Sequence, residues 1–289
     1  MNNLVSIILP NYNHATYLRE RLESILNQSY QNFELIILDD ASNDGSLSIL
    51  KECRNHARVS HFILNKENSG SPFKQWAKGL EFAKGRIIWI AESDDYCRKD
   101  FLETQIKQLT KPDVMVSVCK TVVVDQDGQP VKEAKHHLFQ DSRLCKKICS
   151  EDILKIPILN VSSICFKREV LSSTSFFSEF NIIGDRVFYQ EFFLNQIVCM
   201  NENSISYFRR LENAVSNFNN LPMRRKKLYF LENLKFIKRE YKLKNVNKKQ
   251  FNSYLEKFFN KIRNRTSRKE KLSLAYLLLF FKYKYELKS

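Results

Sequence analysis

Short clusters of carboxylates placed directly after apolar runs are the part of this sequence most able to do chemistry. Asp39 and Asp40 follow the run Phe33–Leu38, and Glu92, Asp94 and Asp95 follow Arg86–Ala91. Carboxylates grouped in this way suit a hard divalent cation, because Mg2+ and Mn2+ take oxygen ligands and commonly bond carboxylate and phosphate together. In Glu92-Ser93-Asp94, alternate residues of an extended strand end point the same way, so Glu92 and Asp94 face one site. The plainer reading is a solvated acidic turn in which an Asp caps the next helix. Asp185, after Gly184, also suits a cap, here for a helix over Arg186–Leu194. Other groupings carry less. His136-His137 and Cys145-x3-Cys149 lack a zinc spacing, Trp76 and Trp89 read as core, and no GxSxG elbow supports a hydrolase.

The elements that must position these acids follow from periodicity. Residues 4–9 read as a buried strand, and Leu18, Leu22, Ile25 and Leu26 then recur at helical spacing. The alternation continues with a strand at Phe33–Leu38, a helix at Ser46–Arg54 and a strand at Val59–Leu64. A helix at Pro72–Ala83 and a strand at Arg86–Ala91 complete it. Strands alternating with helices imply right-handed crossovers and a mostly parallel sheet covered on both faces. Ligands of such sheets bind beyond the carboxyl ends of the strands, where both acidic clusters fall. From 113 the texture changes to a β-branched run, Val114–Val124, and a DQDG turn, which read as an antiparallel half of the same domain. After 222 the pattern is helical.

The chain has 289 residues, 43% of them hydrophobic and only 12 of them Gly or Pro, which excludes collagenous, low-complexity and small disulfide-stapled classes. Its net charge of +15 is unevenly spread. Residues 1–220 hold 26 Lys and Arg against 27 Asp and Glu, whereas 221–289 hold 21 against 5. The excess therefore belongs to the last quarter and implies a polyanionic partner there, a membrane surface or nucleic acid. Seven cysteines without a CxxC pair fit a reduced, cytosolic compartment. Leu4–Leu9 is too short for a signal peptide, and Leu272–Phe281 falls short of the roughly 20 residues of a spanning helix, so neither export nor a transmembrane helix is expected.

Five stretches in order resemble the family 2 glycosyltransferases: VSIILPNYNHATYLRERLESILNQSY (5–30), ELIILDDASNDGS (34–46), NSGSPFKQWAKGLEFAKGRIIWIAESDDY (68–96) and, more loosely, IIGDRVFYQEFF (182–193) with ISYFRRLENAVS (205–216). The resemblance implies an α/β protein of the GT-A nucleotide-diphospho-sugar transferase fold. It makes Asp94 the ligand of Mn2+ or Mg2+, with Glu92 and Asp95 supporting ribose or metal contacts. Tyr12 takes the place of the ring that stacks on the base, Pro10 offers its carbonyl, Asp40 accepts a base N–H, and Asp39 braces the loop. Lys74 and Arg209 are candidates for the phosphates or ribose, and Asp185 is the catalytic base. Two positions depart from the pattern. Glu92 stands where the family more often has Asp, and Leu211 stands where many relatives have His, so no role of that His carries over.

The implied organisation is a catalytic domain over 1–221 and a basic helical subdomain over 222–289. The implied activity is inverting, metal-dependent transfer from a nucleoside diphosphate sugar, with UDP as the nucleotide, to a hydroxyl of a growing or lipid-linked cell-surface glycan. The expected location is cytoplasmic and peripheral at the inner face of the cell membrane. Attachment to anionic membrane is expected through the apolar faces Phe251, Leu255, Phe258, Phe259 and Ile262 and the run Leu272–Phe281 flanked by Arg268, Lys269, Lys271, Lys282 and Lys284. The rival readings are a nucleotide-sugar binding protein without catalysis and a basic nucleic-acid binder. Nucleic acid is not the expected partner, because the positive charge lies outside the acidic half and no RNA module is present.

Overall fold

A computed structural model describes residues 3–140, 143–211 and 221–288. The chain divides into two compact units, 1–211 and 212–289. Residues 212–216 of the last resembling stretch lie outside the described residues.

The first unit runs β1 (Val5–Asn11), α1 (Ala15–Leu26), β2 (Phe33–Asp39), α2 (Ser46–Cys53), β3 (Val59–Leu64), α3 (Pro72–Phe82), β4 (Ile87–Ile90), β5 (Tyr96–Cys97) and α4 (Phe101–Leu109). It continues with β6 (Val116–Val124), β7 (Pro130–Ala134), β8 (Cys145–Lys147), α5 (Ser150–Leu154), β9 (Ile164–Lys167), α6 (Gly184–Phe193) and β10 (Ile197–Arg209). One sheet is formed in the order β3-β2-β1-β4-β9-β6-β10-β5, with β7 on β6 and β8 on β10. Strands β1 to β4 pair in parallel, with β1 between β2 and β4. All residues of β1 and β2 are buried, as continuous apolar runs covered on both faces require. The Val114–Val124 run is antiparallel to β7 and β9, as the change of texture implied, but parallel to β10.

Helix α1 buries Leu18, Leu22 and Ile25 against the sheet. Helix α3 approaches the other way, close enough that a Cβ on Gly79 would lie 2.4 Å from Ile8 Cγ2, so only glycine allows this packing. The antiparallel β8–β10 pair sets Cys145 opposite Cys199, and the two are joined as a disulfide. The expectation of reduced thiols is corrected at this pair, which a sequence separation of 54 conceals.

The second unit is helical: α7 (Met223–Lys242), α8 (Lys248–Asn264), α9 (Arg268–Lys271) and α10 (Leu274–Lys288). A capping box between Asn247 and Gln250 starts α8. Its stripe of Phe251, Leu255, Phe258, Phe259 and Ile262 is buried within this unit, with Phe259 stacked on Tyr283 at 4.1 Å and Tyr254 Oη donating to Asn233 at 2.8 Å. The part that sequence gave this stripe in meeting a membrane is therefore corrected: it is the core of the helical unit. No helix among the described residues is long and apolar enough to cross a membrane.

Candidate active site

Parallel pairing of β1 with β2 and β4 brings their carboxyl ends side by side, and the loops leaving them are tied to one another. Asn11 Nδ2 donates to Asp39 Oδ1 at 2.8 Å, and Asp39 also accepts from Ser42 N at 2.9 Å and Ser42 Oγ at 2.7 Å. Asn13 N donates to Ser42 Oγ, Asn43 N to Asn13 Oδ1, and Ala15 N to Asp44 Oδ2. Asn13 and Ala41 both adopt left-handed backbone, with φ of 53° and 62°. For Ala41 that conformation is uncommon and is sustained by the surrounding bonds. Pro10 is buried inside β1 opposite Leu38, and Tyr12, just beyond the strand, is 43% exposed, so its ring is open to a planar partner.

Asp40 is buried and surrounded by donors. Its carboxylate accepts from Asn65 Nδ2 at 2.6 Å, Gln75 Nε2 at 2.8 Å, Ser69 Oγ at 2.8 Å and Ser69 N. The expected division of labour, with Asp39 bracing and Asp40 reading a base, is not what this geometry displays, because both carboxylates brace loops. A base N–H at Asp40 requires one of these donors to give way. Lys74 is exposed, and its Nζ reaches back to the Ser69 carbonyl at 2.9 Å.

The acids after β4 take three different settings. Asp95 is buried and engaged on both oxygens, by Arg209 N and Asn160 Nδ2, each at 3.0 Å. Glu92 Oε1 accepts from Trp76 Nε1 at 2.5 Å. The Asp94 carboxylate has no hydrogen bond to another side chain among the described residues. Burial pushes Glu92 up to about 8, with Asp94 adding to the shift and the Trp76 N–H opposing it. Burial likewise raises the neighbouring pair Asp94 and Asp95, and the guanidinium of Arg21 holds both down.

Arg209 is placed differently from a phosphate-binding side chain. Its Nε donates to the Asp94 carbonyl, one terminal nitrogen to the carbonyls of Asp125 and Gln126, and the other to Glu20 at 2.5 Å, while the group lies over Tyr17 at 4.6 Å. These contacts spend the guanidinium inside the protein, so Arg209 clamps the acidic turn to α1 and to the loop after β6.

Asp185 lies in the first turn of α6, where its Oδ1 accepts from Arg186 N at 2.7 Å. The helix is seated by Gly184, where a Cβ would come within 2.3 Å of the Phe73 ring. Trp76, one turn along α3 from Phe73, packs edge-on against Phe188 of α6 at 5.6 Å while donating to Glu92. Trp76 thus links the helix bearing Asp185 to the acidic turn, a role that the core reading missed.

Two more residues escaped the sequence reading. Arg21 is fully buried, its guanidinium beside the Cys97 thiol and with no nitrogen or oxygen partner among the described residues, and it sits over Trp89 at 4.8 Å as a positive charge close to the acids. Its position three residues after Leu18 and four before Ile25, inside the apolar stripe, was the available signal. His14 is bonded through Nδ1 to Ser93 Oγ at 2.8 Å, and burial lowers its pKa.

The comparisons with known proteins bear on this constellation. The profile of glycosyl transferase family 2 matches residues 6–174, which carry both strand-end acidic clusters. The chain belongs to that family. It is 32% identical over 166 residues to the putative teichuronic acid biosynthesis glycosyltransferase TuaG of Bacillus subtilis, a match covering 57% of this chain and 63% of that protein. Against the glycosyltransferase GlyG of Streptococcus pneumoniae it is 37% identical over 121 residues, 41% of this chain and 39% of that one. The chain thus spans less than two thirds of these curated relatives.

Among solved structures, S. aureus TarS 1–349 in complex with UDP superposes with a TM-score of 0.61 at 22% identity, over 93% of this chain and 74% of that one. The mannosyltransferase PcManGT of Pyrobaculum calidifontis, in complex with GDP-Man and Mn2+, gives 0.55 at 18% identity, over 98% of this chain and 83% of that one. The family member therefore has the GT-A-type α/β fold that its motifs implied.

The raised Glu92 has a measurable consequence. An acid whose pKa rises from 4.5 unfolded to about 8 folded binds more protons in the native state between those values, so stability falls as pH rises through that window. In EDTA the melting temperature of Glu92→Gln should fall less than that of the native chain between pH 6 and pH 8.5. Equal slopes would contradict the buried setting of Glu92.

Proposed function

We propose that this glycosyltransferase moves a sugar from a nucleoside diphosphate sugar, with UDP as the nucleotide, to a hydroxyl of a growing cell-surface glycan, inverting the anomeric configuration. The observation that carries this reading is the acidic turn Glu92–Asp95, held at the carboxyl end of β4 beside the ends of β1 and β2 with the Asp94 carboxylate left for a ligand. Complexes of TarS with UDP and UDP-GlcNAc support the nucleotide, and the name of TuaG supports a surface polymer as the product.

A cation fits the donor set. Three carboxylates pushed above their ordinary range by burial, with the Asp94 charge adding to the shift of Glu92 and Asp95, favour a positive ligand. No ready cage of three His, Cys, Asp or Glu side chains exists among the described residues. Mg2+ and Mn2+ are commonly held by one or two carboxylates and completed by substrate phosphate. Asp94 would hold Mn2+ or Mg2+, which when bound supplies charge against the diphosphate leaving group.

The chain's own residues do the rest. Tyr12 stacks on the base, the Pro10 carbonyl meets its polar edge together with Asp40, one of whose present donors gives way to the base N–H, and Lys74 stands beside the Ser69 loop for ribose or phosphate. Arg209, Arg21 and Asp95 keep the acidic turn in place. Asp185 takes the proton of the acceptor hydroxyl as its oxygen attacks the anomeric carbon and the bond to the diphosphate breaks, a single displacement. The acceptor is read as lipid-linked, with the enzyme cytoplasmic and held at the inner membrane face by its basic C-terminal segment.

The experiment is transfer from UDP-sugars, in Mn2+, to a synthetic lipid-linked acceptor, with the anomeric configuration of the product read by NMR. An α-linked donor should give a β-linked product. Retained configuration would contradict the single displacement.

A further inference from the structure

The second unit spends one apolar face on its core and leaves another uncovered. On α10, Tyr276, Leu279 and Tyr283 are buried, while Leu274, Leu278, Phe281 and Tyr285 are 71%, 54%, 64% and 69% exposed. At 100° per residue these four positions fall within about 60° of one another, so they form one stripe along the side opposite the buried face. Leu277 borders the stripe and is also exposed. Lys282 and Lys284 lie about 80° to either side of it by the same rotation.

The acids of this region offset little of that charge, although one of them pairs with Lys282. Glu270 is held by Lys226 at 3.3 Å, and Glu286, itself buried, is held by Lys238 at 2.7 Å and Lys282 at 3.6 Å. A helix of 15 residues is about 22 Å long, short of the roughly 30 Å hydrocarbon core of a bilayer.

We propose that α10 is a membrane-surface helix that lies along an anionic bilayer, with Leu274, Leu278, Phe281 and Tyr285 in the acyl boundary and its flanking lysines among the headgroups. An apolar stripe bordered by Lys, whose stems cover hydrocarbon while their ammonium groups reach water, is the arrangement that binds in the plane of such an interface. Charge complementarity selects the occupant. The segment 221–289 carries 21 Lys and Arg against 5 acids, which an anionic surface attracts. A second copy of the chain on the same stripe would set the two lysine borders against each other. This inference gives the peripheral attachment proposed above its element and orientation, and it stands apart from the chemistry of transfer.

The test is co-sedimentation of the full chain with vesicles of phosphatidylcholine alone and of phosphatidylcholine with phosphatidylglycerol, at low and high salt. The native chain should pellet with the anionic vesicles only and be released by salt. Leu278→Glu with Phe281→Glu should weaken binding at least tenfold, and Lys282→Gln with Lys284→Gln should weaken it by roughly tenfold with a shallower salt dependence. All four substitutions are on the exposed side, and calorimetric UDP titration of each variant checks that the first unit is intact. Loss of UDP binding in the native chain itself would strike the transfer reading and leave this one standing. No binding of the native chain to anionic vesicles, or equal binding of Leu278→Glu with Phe281→Glu, overturns the proposal. So does a concentration-dependent dimer that the same pair of substitutions disperses while vesicle binding is absent.

Discussion

Asp185→Asn should bind UDP as the native chain does and transfer sugar roughly 10² to 10⁴ times more slowly, the usual worth of a positioned general base. That loss corresponds to about 3–5 kcal/mol in the activation barrier. The amide is nearly isosteric, and its oxygen can still accept from Arg186 N, the bond that Asp185 Oδ1 makes at 2.7 Å. A residue that served the helix alone would therefore lose little. Even a complete loss of a helix-terminal bond costs about 1 kcal/mol of stability and leaves the rate alone. Steady-state kinetics with the donor varied separates the two roles: kcat falls while the donor KM holds. A kcat within a few-fold of the native value would remove Asp185 from catalysis.

Asp94→Ala should abolish the coupling between divalent cation and nucleotide. Asp95 has both oxygens engaged, by Arg209 N and Asn160, and Glu92 has one oxygen tied to Trp76, so what they could still offer a cation is poorer than the Asp94 carboxylate that is removed. Free Mn2+ in the presence of UDP, read by electron paramagnetic resonance, should fall on adding the native chain beyond what UDP alone binds, and should not fall on adding the variant. The substitution leaves the clamp of Arg209 on the Asp94 carbonyl in place, because that contact is to the backbone. Melting temperature should therefore change little, or rise, since a buried acid with a raised pKa is removed. Equal Mn2+ uptake by the two proteins would contradict the role of Asp94.

The sequence made the frame of this site legible because parallel strands buried on both faces read as unbroken apolar runs. Val5–Leu9 and Phe33–Leu38 could hardly be anything else, and the acids then had to lie at strand ends. What each acid does was less visible. Asp40 and Arg209 have the residue types of ligand-binding groups, yet their hydrogen-bonding capacity is consumed by Ser69, Gln75 and Asn65 in one case and by Glu20, Asp125 and Gln126 in the other. Those partners come from loops that meet only in the folded chain. Trp76 shows the converse: its indole ring is core, as its burial demands, and its N–H is what steadies Glu92. In the helical unit, Phe251–Ile262 and Leu274–Tyr285 both present apolar residues at helical spacing. Only tertiary packing decides that α8 turns its stripe inward while α10, apolar on two sides, keeps one outside.

The central claim is that the crevice at the ends of β1, β2 and β4 binds a nucleoside diphosphate through a cation. Calorimetric titration of the native chain with UDP, in Mn2+ and again in EDTA, tests it most directly. The account predicts saturable one-to-one binding in Mn2+ that is lost in EDTA, with GDP binding more weakly than UDP under the same conditions. Preference for GDP would displace only the contact assigned to Asp40. Equal affinity for UDP with and without the cation would contradict the account.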